Sequence, residues 1–303
     1  MRTCARGVAL VVALSVVAVV WGPSPLVWMA AVPRNNPEAF LERADALRPV
    51  VLHDEAALAA YVATFPQADY ALHRPSLLGV FYLDQEGPHD LVKATLAARE
   101  PWEPEIRAVL ESFIVPGTAV IDAGAHIGTH TLAMARVAGR DGHVFAFEPQ
   151  KKLYRELVWN LRANRIGNVT PLRMAVGDGP ARIVEMDRDP GNEGGASIGE
   201  GGDAVELRTI DSFGFRRVSL IKIDVEGFER YVLDGAVRTI AADHPVLVVE
   251  IRGGSDYDTA DDETRAAIEA TTARMRTLGY VVSRITEHDY LGVPVSSART
   301  PLR

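Results

Sequence analysis

The sequence predicts an α/β fold: a three-layer sandwich with a mostly parallel sheet, preceded by an N-terminal helical segment. Three observations predict it. Short apolar runs near residues 118–121, 143–147, 169–176, 220–223 and 245–251 alternate with stretches of helical spacing, the pattern that builds buried parallel strands covered by helices. The first run passes into a turn bearing Gly124 and Gly128, where a missing side chain lets backbone amides approach a ligand at a helix start. The second ends in Glu148-Pro149, so that a carboxylate stands about 20 residues past the glycines, the position that hydrogen-bonds a ribose diol in nucleotide-binding βαβ units.

In chain order, residues 7–33 carry no charge and lie between Arg2 and Arg6 before and Arg34 after. Their uninterrupted core, residues 8–21, is broken by Gly22-Pro23-Ser24-Pro25, and Ala30 followed by Val32 and Pro33 makes a poor cleavage site. A membrane anchor formed by a single transmembrane helix within residues 1–33 is therefore preferred to a removed signal. A third possibility is a start at Met29, which would give a soluble cytoplasmic protein. Arginines on both sides leave the orientation open.

Residues 34–115 read as a mostly helical preface. Phe40, Leu41, Ala44 and Leu47 fall at helical spacing, as do Ala57, Leu58, Tyr61 and Val62. A short strand is expected at residues 77–83. Trp102-Glu103-Pro104-Glu105 then leads into a helix through Ile106, Val109, Leu110 and Phe113, where acids in the first turn suit the helix dipole.

Residues 116–303 are expected to form one domain. Its first strand ends in Asp122, and Thr129 or Thr131 caps or opens the helix through Leu132, Ala135 and Val137. After the second strand, Leu153, Leu157 and Leu161 mark a helix with one apolar face, and residues 169–176 read as the third strand, followed by Gly177-Asp178. The glycine-rich residues 177–202 read either as a lid or as a linker, inside a hairpin formed by residues 183–186 and 205–207. The fourth strand delivers Lys222, Asp224 and Glu226 to the carboxyl edge of the sheet, where open α/β sheets bind ligands. Alternation places Lys222 and Asp224 on one side, as a salt bridge or a joint grip on substrate. Phe228, Tyr231, Val232 and Gly235 continue as a helix. The fifth strand ends around Glu250, the last helix uses Ile268, Thr272 and Met275, and residues 280–285 return as a strand. Residues 286–303 supply one antiparallel edge strand or fray.

Four pieces in this order, VIDAGAHIG at residues 120–128, FEP at 147–149, LIKIDVEGFE at 220–229 and VLVVEI at 246–251, resemble the FkbM family of S-adenosylmethionine-dependent methyltransferases. The resemblance runs from about residue 103 to residue 278 and departs at His126, where family members often carry Asn. It implies a Rossmann-like class I methyltransferase fold and S-adenosyl-L-methionine as cofactor. It also implies methylation, on oxygen, of a small-molecule, sugar or lipid-linked hydroxyl. As cofactor contacts it points to Glu103, Asp122, Gly124, His126, Gly128, Glu148 and Asp178, the last beside the adenine. Because this cofactor is made in the cytoplasm, the catalytic domain is expected there.

Methyl transfer is a displacement in which the cofactor brings its own leaving group. The protein must align the acceptor and remove a proton. Alignment can lower such a barrier by about 7–11 kcal/mol, whereas a general base adds a factor of about 10²–10⁴. Asp224 is the first choice of base and Glu226 the second, with Lys222 beside them; His126 and His130 are alternatives because imidazole titrates near neutrality. A carboxylate pair could hold a divalent metal, but nothing in the spacing requires one. The second functional reading is a non-catalytic nucleoside-binding or scaffolding module, disfavoured by acids retained at the open edge. The third is an NAD-dependent oxidoreductase, disfavoured because D-x-G-x-x-x-G is not the dinucleotide G-x-G-x-x-G. A formal charge of −8 gives no indication of a nucleic-acid partner, and the single Cys4 excludes an internal disulfide framework. The acceptor and the oligomeric state are not encoded legibly.

Overall fold

The computed structural model describes residues 70–73, 79–84, 90–186, 193–195, 198–199, 202, 204–251 and 260–295. The chain divides into Met1–Pro33 and Arg34–Arg303, and all described residues lie in the second unit. At its centre, β3 (Ala119–Ala123) and β4 (His143–Phe147) are buried at every position. Strands covered on both faces need apolar side chains on both, which is why these segments read as continuous runs. With β5 (Val169–Leu172), β10 (Val218–Ile223) and β11 (Val246–Glu250) they form a parallel set. Antiparallel β12 (Tyr280–Arg284) and β13 (Asp289–Pro294) extend it to the order β12-β13-β11-β10-β3-β4-β5. The chain moves outward from β3 through β4 and β5, then returns to β10 on the other side of β3. That reversal leaves a crevice at the carboxyl ends of β3 and β10, the usual ligand site of such sheets.

The flanking helices are α1 (Leu91–Ala97), α2 (Pro104–Phe113), α3 (Thr129–Ala138), α4 (Lys151–Ala163), α5 (Glu229–Asp234), α6 (Val237–Asp243) and α7 (Asp262–Thr277). Leu153, Leu157 and Leu161 of α4 are buried as their spacing predicts. One hydrophobic cluster joins Leu96 of α1 and Ile106 and Leu110 of α2 to Val120, Leu132 and Leu157, so the described part of residues 34–115 shares the core of the sheet. A hairpin, β1 (Tyr70–His73) with β2 (Phe81–Asp84), is held from α4 by side-chain amides. The Tyr82 amide donates to Asn160 Oδ1 at 2.7 Å, the Val80 amide to Asn164 Oδ1 at 2.8 Å, and Asn160 Nδ2 donates to the Ile127 carbonyl at 2.8 Å.

A second small sheet, in the order β6-β9-β7-β8, comprises β6 (Ala175–Val176), β7 (Arg182–Met186), β8 (Ile198–Gly199) and β9 (Ala204–Arg208). β7 and β9 are the expected hairpin.

Several expectations require correction. The third strand is two strands, because a tight turn in which the Met174 amide bonds the Leu172 carbonyl at 3.0 Å moves the chain from one sheet to the other. Thr129 opens α3, as one alternative had it, but the cap is Gly128 with φ 95°, and Thr131 Oγ1 donates to Asp122 Oδ2 instead. The tail does not supply an edge strand, since β13 lies between β11 and β12. The helices expected around residues 40–47 and 57–62 lie outside the described residues.

The membrane assignment is overturned. The longest described helix, α7, has 16 residues, about 24 Å at 1.5 Å per residue, and carries charges along its length. A bilayer core of about 30 Å demands roughly 20 apolar residues. No helix among the described residues is long and apolar enough to cross a membrane. The transmembrane keyword, the membrane partner and the membrane-anchored localisation therefore lose their support; residues 1–33, on which they were placed, lie outside the described residues.

Candidate active site

The carboxyl ends of β3, β4, β10 and β11 open into a cavity of about 300 Å³. The loop after β3 crosses the end of β10 so closely that a Cβ on Gly124 would stand 1.6 Å from the Asp224 carbonyl oxygen, and Gly124 adopts φ 86°. Only glycine satisfies both demands. The loop is stitched to β4: the Gly124 and Ala125 amides donate to the Phe147 carbonyl at 3.0 and 2.9 Å, and the His126 amide donates to Glu148 Oε2 at 2.8 Å.

Glu148 lines the cavity yet is only 4% exposed. Its other oxygen accepts the Gln150 amide at 2.9 Å. Burial pushes this carboxyl up to about 7, against the opposing pull of the His126 charge and the two amides. His126 itself is left-handed, φ 49°, and its Nε2–H donates to Asp90 Oδ2 at 2.7 Å. Burial opposes its charge, but the hydrogen bond and charge of Asp90, with the charge of Glu148, hold its pKa above the ordinary value.

Across the cavity, Lys222 Nζ donates to Asp224 Oδ2 at 2.9 Å and to the Gly124 carbonyl at 3.1 Å, and lies 3.7 Å from Asp122 Oδ1. Burial works against this ammonium, yet Asp224 and Asp122 keep it charged far beyond the usual lysine range. Glu250 also lines the cavity, and the charge of Asp224 first, then burial, then Glu103 and Asp289, push its carboxyl up to about 10. Glu103, left-handed at the start of α2, makes no cap; its Oε2 accepts His130 Nε2–H at 2.9 Å instead. Glu226, at φ 54°, lines the same cavity.

Residues 122–282, more than half of the 303, match the family model described as the Methyltransferase FkbM domain. The chain belongs to the FkbM methyltransferase family. Its cofactor is the one that FkbM methyltransferases use, S-adenosylmethionine. Among solved structures it is similar to a putative rRNA-methylase from Clostridium thermocellum, with 16% identity, 62% of this chain and 91% of that chain covered, and a TM-score of 0.42. It is similar to an FkbM methyltransferase from Methylobacillus flagellatus KT, with 20% identity, 66% and 53% coverage and a TM-score of 0.40. It is also similar to a SAM-dependent O-methyltransferase from Thermotoga maritima, with 14% identity, 77% and 96% coverage and a TM-score of 0.41. No curated protein matches the chain.

The FkbM cavity fits the cofactor on its own geometry. Each Glu148 oxygen accepts one backbone amide, leaving lone pairs for two hydroxyl donors. Gly124 lines the cavity, and Gly128 lets the loop turn into α3 against Leu157, whose Cδ1 would stand 2.7 Å from a Cβ there. The surplus of carboxylates suits a cationic sulfonium ligand.

Of the FkbM site residues expected from sequence, Glu103, Gly124, His126, Glu148, Lys222, Asp224 and Glu226 all line this cavity. Asp122 does not: fully buried, it stands behind Lys222 and Thr131, and burial raises its pKa. Asp178 does not either. It sits on a turn after β6, about 41% exposed and 3.7 Å from Arg182. Gly128 serves the helix start rather than the wall. Sequence reading missed α1 with Asp90 altogether, although Asp-Leu-Val-Lys is an N-cap followed by an apolar pair, a usable signal. It also left out Trp102 and Phe228, which line the cavity.

Proposed function

We propose that this FkbM methyltransferase methylates a hydroxyl on a small-molecule, sugar or lipid-linked acceptor, with Asp224 as the proton acceptor. The observation that carries the reading is the placement of Lys222, Asp224 and the Gly124 carbonyl in one hydrogen-bonded cluster, in the same cavity as Glu148. The bound cofactor supplies an activated methyl and its own leaving group. Glu148 accepts the ribose hydroxyls, and the loop of Gly124 to Gly128 admits the cofactor close to the backbone. Glu103 and His130 flank the other side. Lys222 fixes the rotamer of Asp224 and faces it towards the acceptor; as the hydroxyl proton moves to Asp224, the ammonium remains to balance the buried carboxylates. Glu226 is the second choice of base. Residues 116–303 carry this chemistry, and residues 34–115 contribute Glu103 and the neighbouring wall.

Calorimetry of the full chain with S-adenosylmethionine, S-adenosylhomocysteine and NAD tests the cofactor assignment. Binding of both adenosyl ligands without NAD is the expected result; NAD binding alone would mean an oxidoreductase, and no binding a scaffold. Transfer of labelled methyl to a panel of hydroxyl compounds then tests the base. Asp224→Asn should lower turnover by about 10²–10⁴ with adenosyl affinity unchanged. Unchanged turnover would remove Asp224 from the role.

A further inference from the structure

We propose that Asp90 is a positioning residue that holds His126, and through it Glu148, in the geometry that receives the nucleoside. The inference rests on the reading of Glu148 given above. Asp90 is 3% exposed and divides its two oxygens between two elements. Oδ1 caps α1 by accepting the Lys93 amide at 2.9 Å, and Oδ2 accepts His126 Nε2–H at 2.7 Å. A single carboxylate thus ties α1 to the glycine loop.

His126 needs such a restraint. It holds φ 49°, a left-handed conformation that is strained for a residue with a Cβ, and its Nδ1 has no hydrogen-bond partner among the described residues. In that conformation the backbone amide of residue 126 meets Glu148 Oε2 at 2.8 Å. Release of the ring lets the backbone relax and withdraws that amide from the carboxylate. The linkage is also electrical. Facing His126 are Asp90 and Lys93 from α1 and Glu148 after β4, and facing Glu148 are His126 and Asp224. Asp90 favours the imidazolium, and the imidazolium favours ionised Glu148, the form that accepts two hydroxyls.

The test is calorimetric binding of S-adenosylhomocysteine to the full chain between about pH 5.5 and about pH 8.5, with thermal melts alongside. Asp90→Asn keeps a competent helix cap but removes the charge. It should weaken binding about tenfold at neutral pH and move the acid limb of the affinity profile up by about one pH unit. Leu96→Ala loosens the same helix from the core without touching His126. It should lower the melting temperature and leave the acid limb in place, which separates positioning from mere support. In a His126→Asn background, Asp90→Asn should change nothing further. Wild-type affinity and pH profile in Asp90→Asn, or an acid limb that moves equally in Leu96→Ala, would overturn the proposal. Glu148→Gln serves as the reference: if it binds as the wild type does, the reading of Glu148 falls and the role of Asp90 with it. If Glu148→Gln loses binding while Asp90→Asn does not, only the role of Asp90 falls.

Discussion

Glu250, in the cavity wall, is a side chain whose surroundings work against its charge in the ligand-free protein. Asp224, burial, Glu103 and Asp289 together push its carboxyl up to about 10, so at neutral pH the folded protein holds a proton there that the unfolded chain has already released in the ordinary carboxyl range. Glu250→Gln should therefore stabilise the ligand-free protein at pH 8. A gain of about 2–4 °C in melting temperature is the shift that roughly 1 kcal/mol produces in a mid-sized domain. No gain would mean that the carboxyl is already relieved by solvent. At this scale the sequence was most legible where chemistry and position coincide. Lys222 and Asp224 alternate onto one side of a strand and do form the ion pair, and Glu148 ends its strand inside the cavity. Asp122 and Asp178 were less legible because position along a strand does not reveal which way a terminal carboxylate turns: one is claimed by Thr131 and Lys222, the other by solvent and Arg182.

Among the elements, α4 does more than cover the sheet. Asn160, with no exposed surface, satisfies the Tyr82 amide of β2 and the Ile127 carbonyl of the glycine loop at once. Asn160→Leu leaves both buried groups without that partner, each at a cost of about 1–3 kcal/mol. Chemical denaturation should show a loss of that order, and β2 should exchange its amides faster than β4 does. β4 was legible to within a residue, and the buried face of α4 was legible from Leu153, Leu157 and Leu161. The break between β5 and β6 was not, because both halves are apolar and only the local turn at Met174 separates them. α1 escaped because its seven residues are too few for a helical period to stand out, which left the Asp90 cap as its signal.

For the molecule as a whole, the pH dependence of stability follows from the same carboxyls. Burial raises Glu148 and Glu229 to about 7, so both favour the fold while protonated, below the ordinary carboxyl pKa, and that contribution is lost as pH rises through about 7. Asp84 and Asp90 are lowered: burial opposes their charge, but the lysines beside Asp84, and His126 and Lys93 beside Asp90, outweigh it. Their contribution is present above the ordinary value and disappears in acid. The ligand-free protein should therefore melt highest in mildly acidic buffer and lower at pH 9, and saturating S-adenosylhomocysteine should narrow that difference. A melting temperature that rises from pH 6 to pH 9 without ligand would contradict it. The overall layering was readable because five apolar runs separated by helices admit few arrangements.

The position of β13 bears on how the protein is made. This strand follows β12 in the chain but lies between β12 and β11. During synthesis, β12 therefore has no place to dock until the ribosome has also delivered β13, and the sheet edge beside Glu250 stays open meanwhile. Asp289, which begins β13 and sits opposite Glu250 in the register, arrives with it. The wall of the cavity at His288, beside Glu250, is thus completed late in translation, and a nascent chain halted before residue 289 would carry the rest of the lining with the edge of β11 still unpaired.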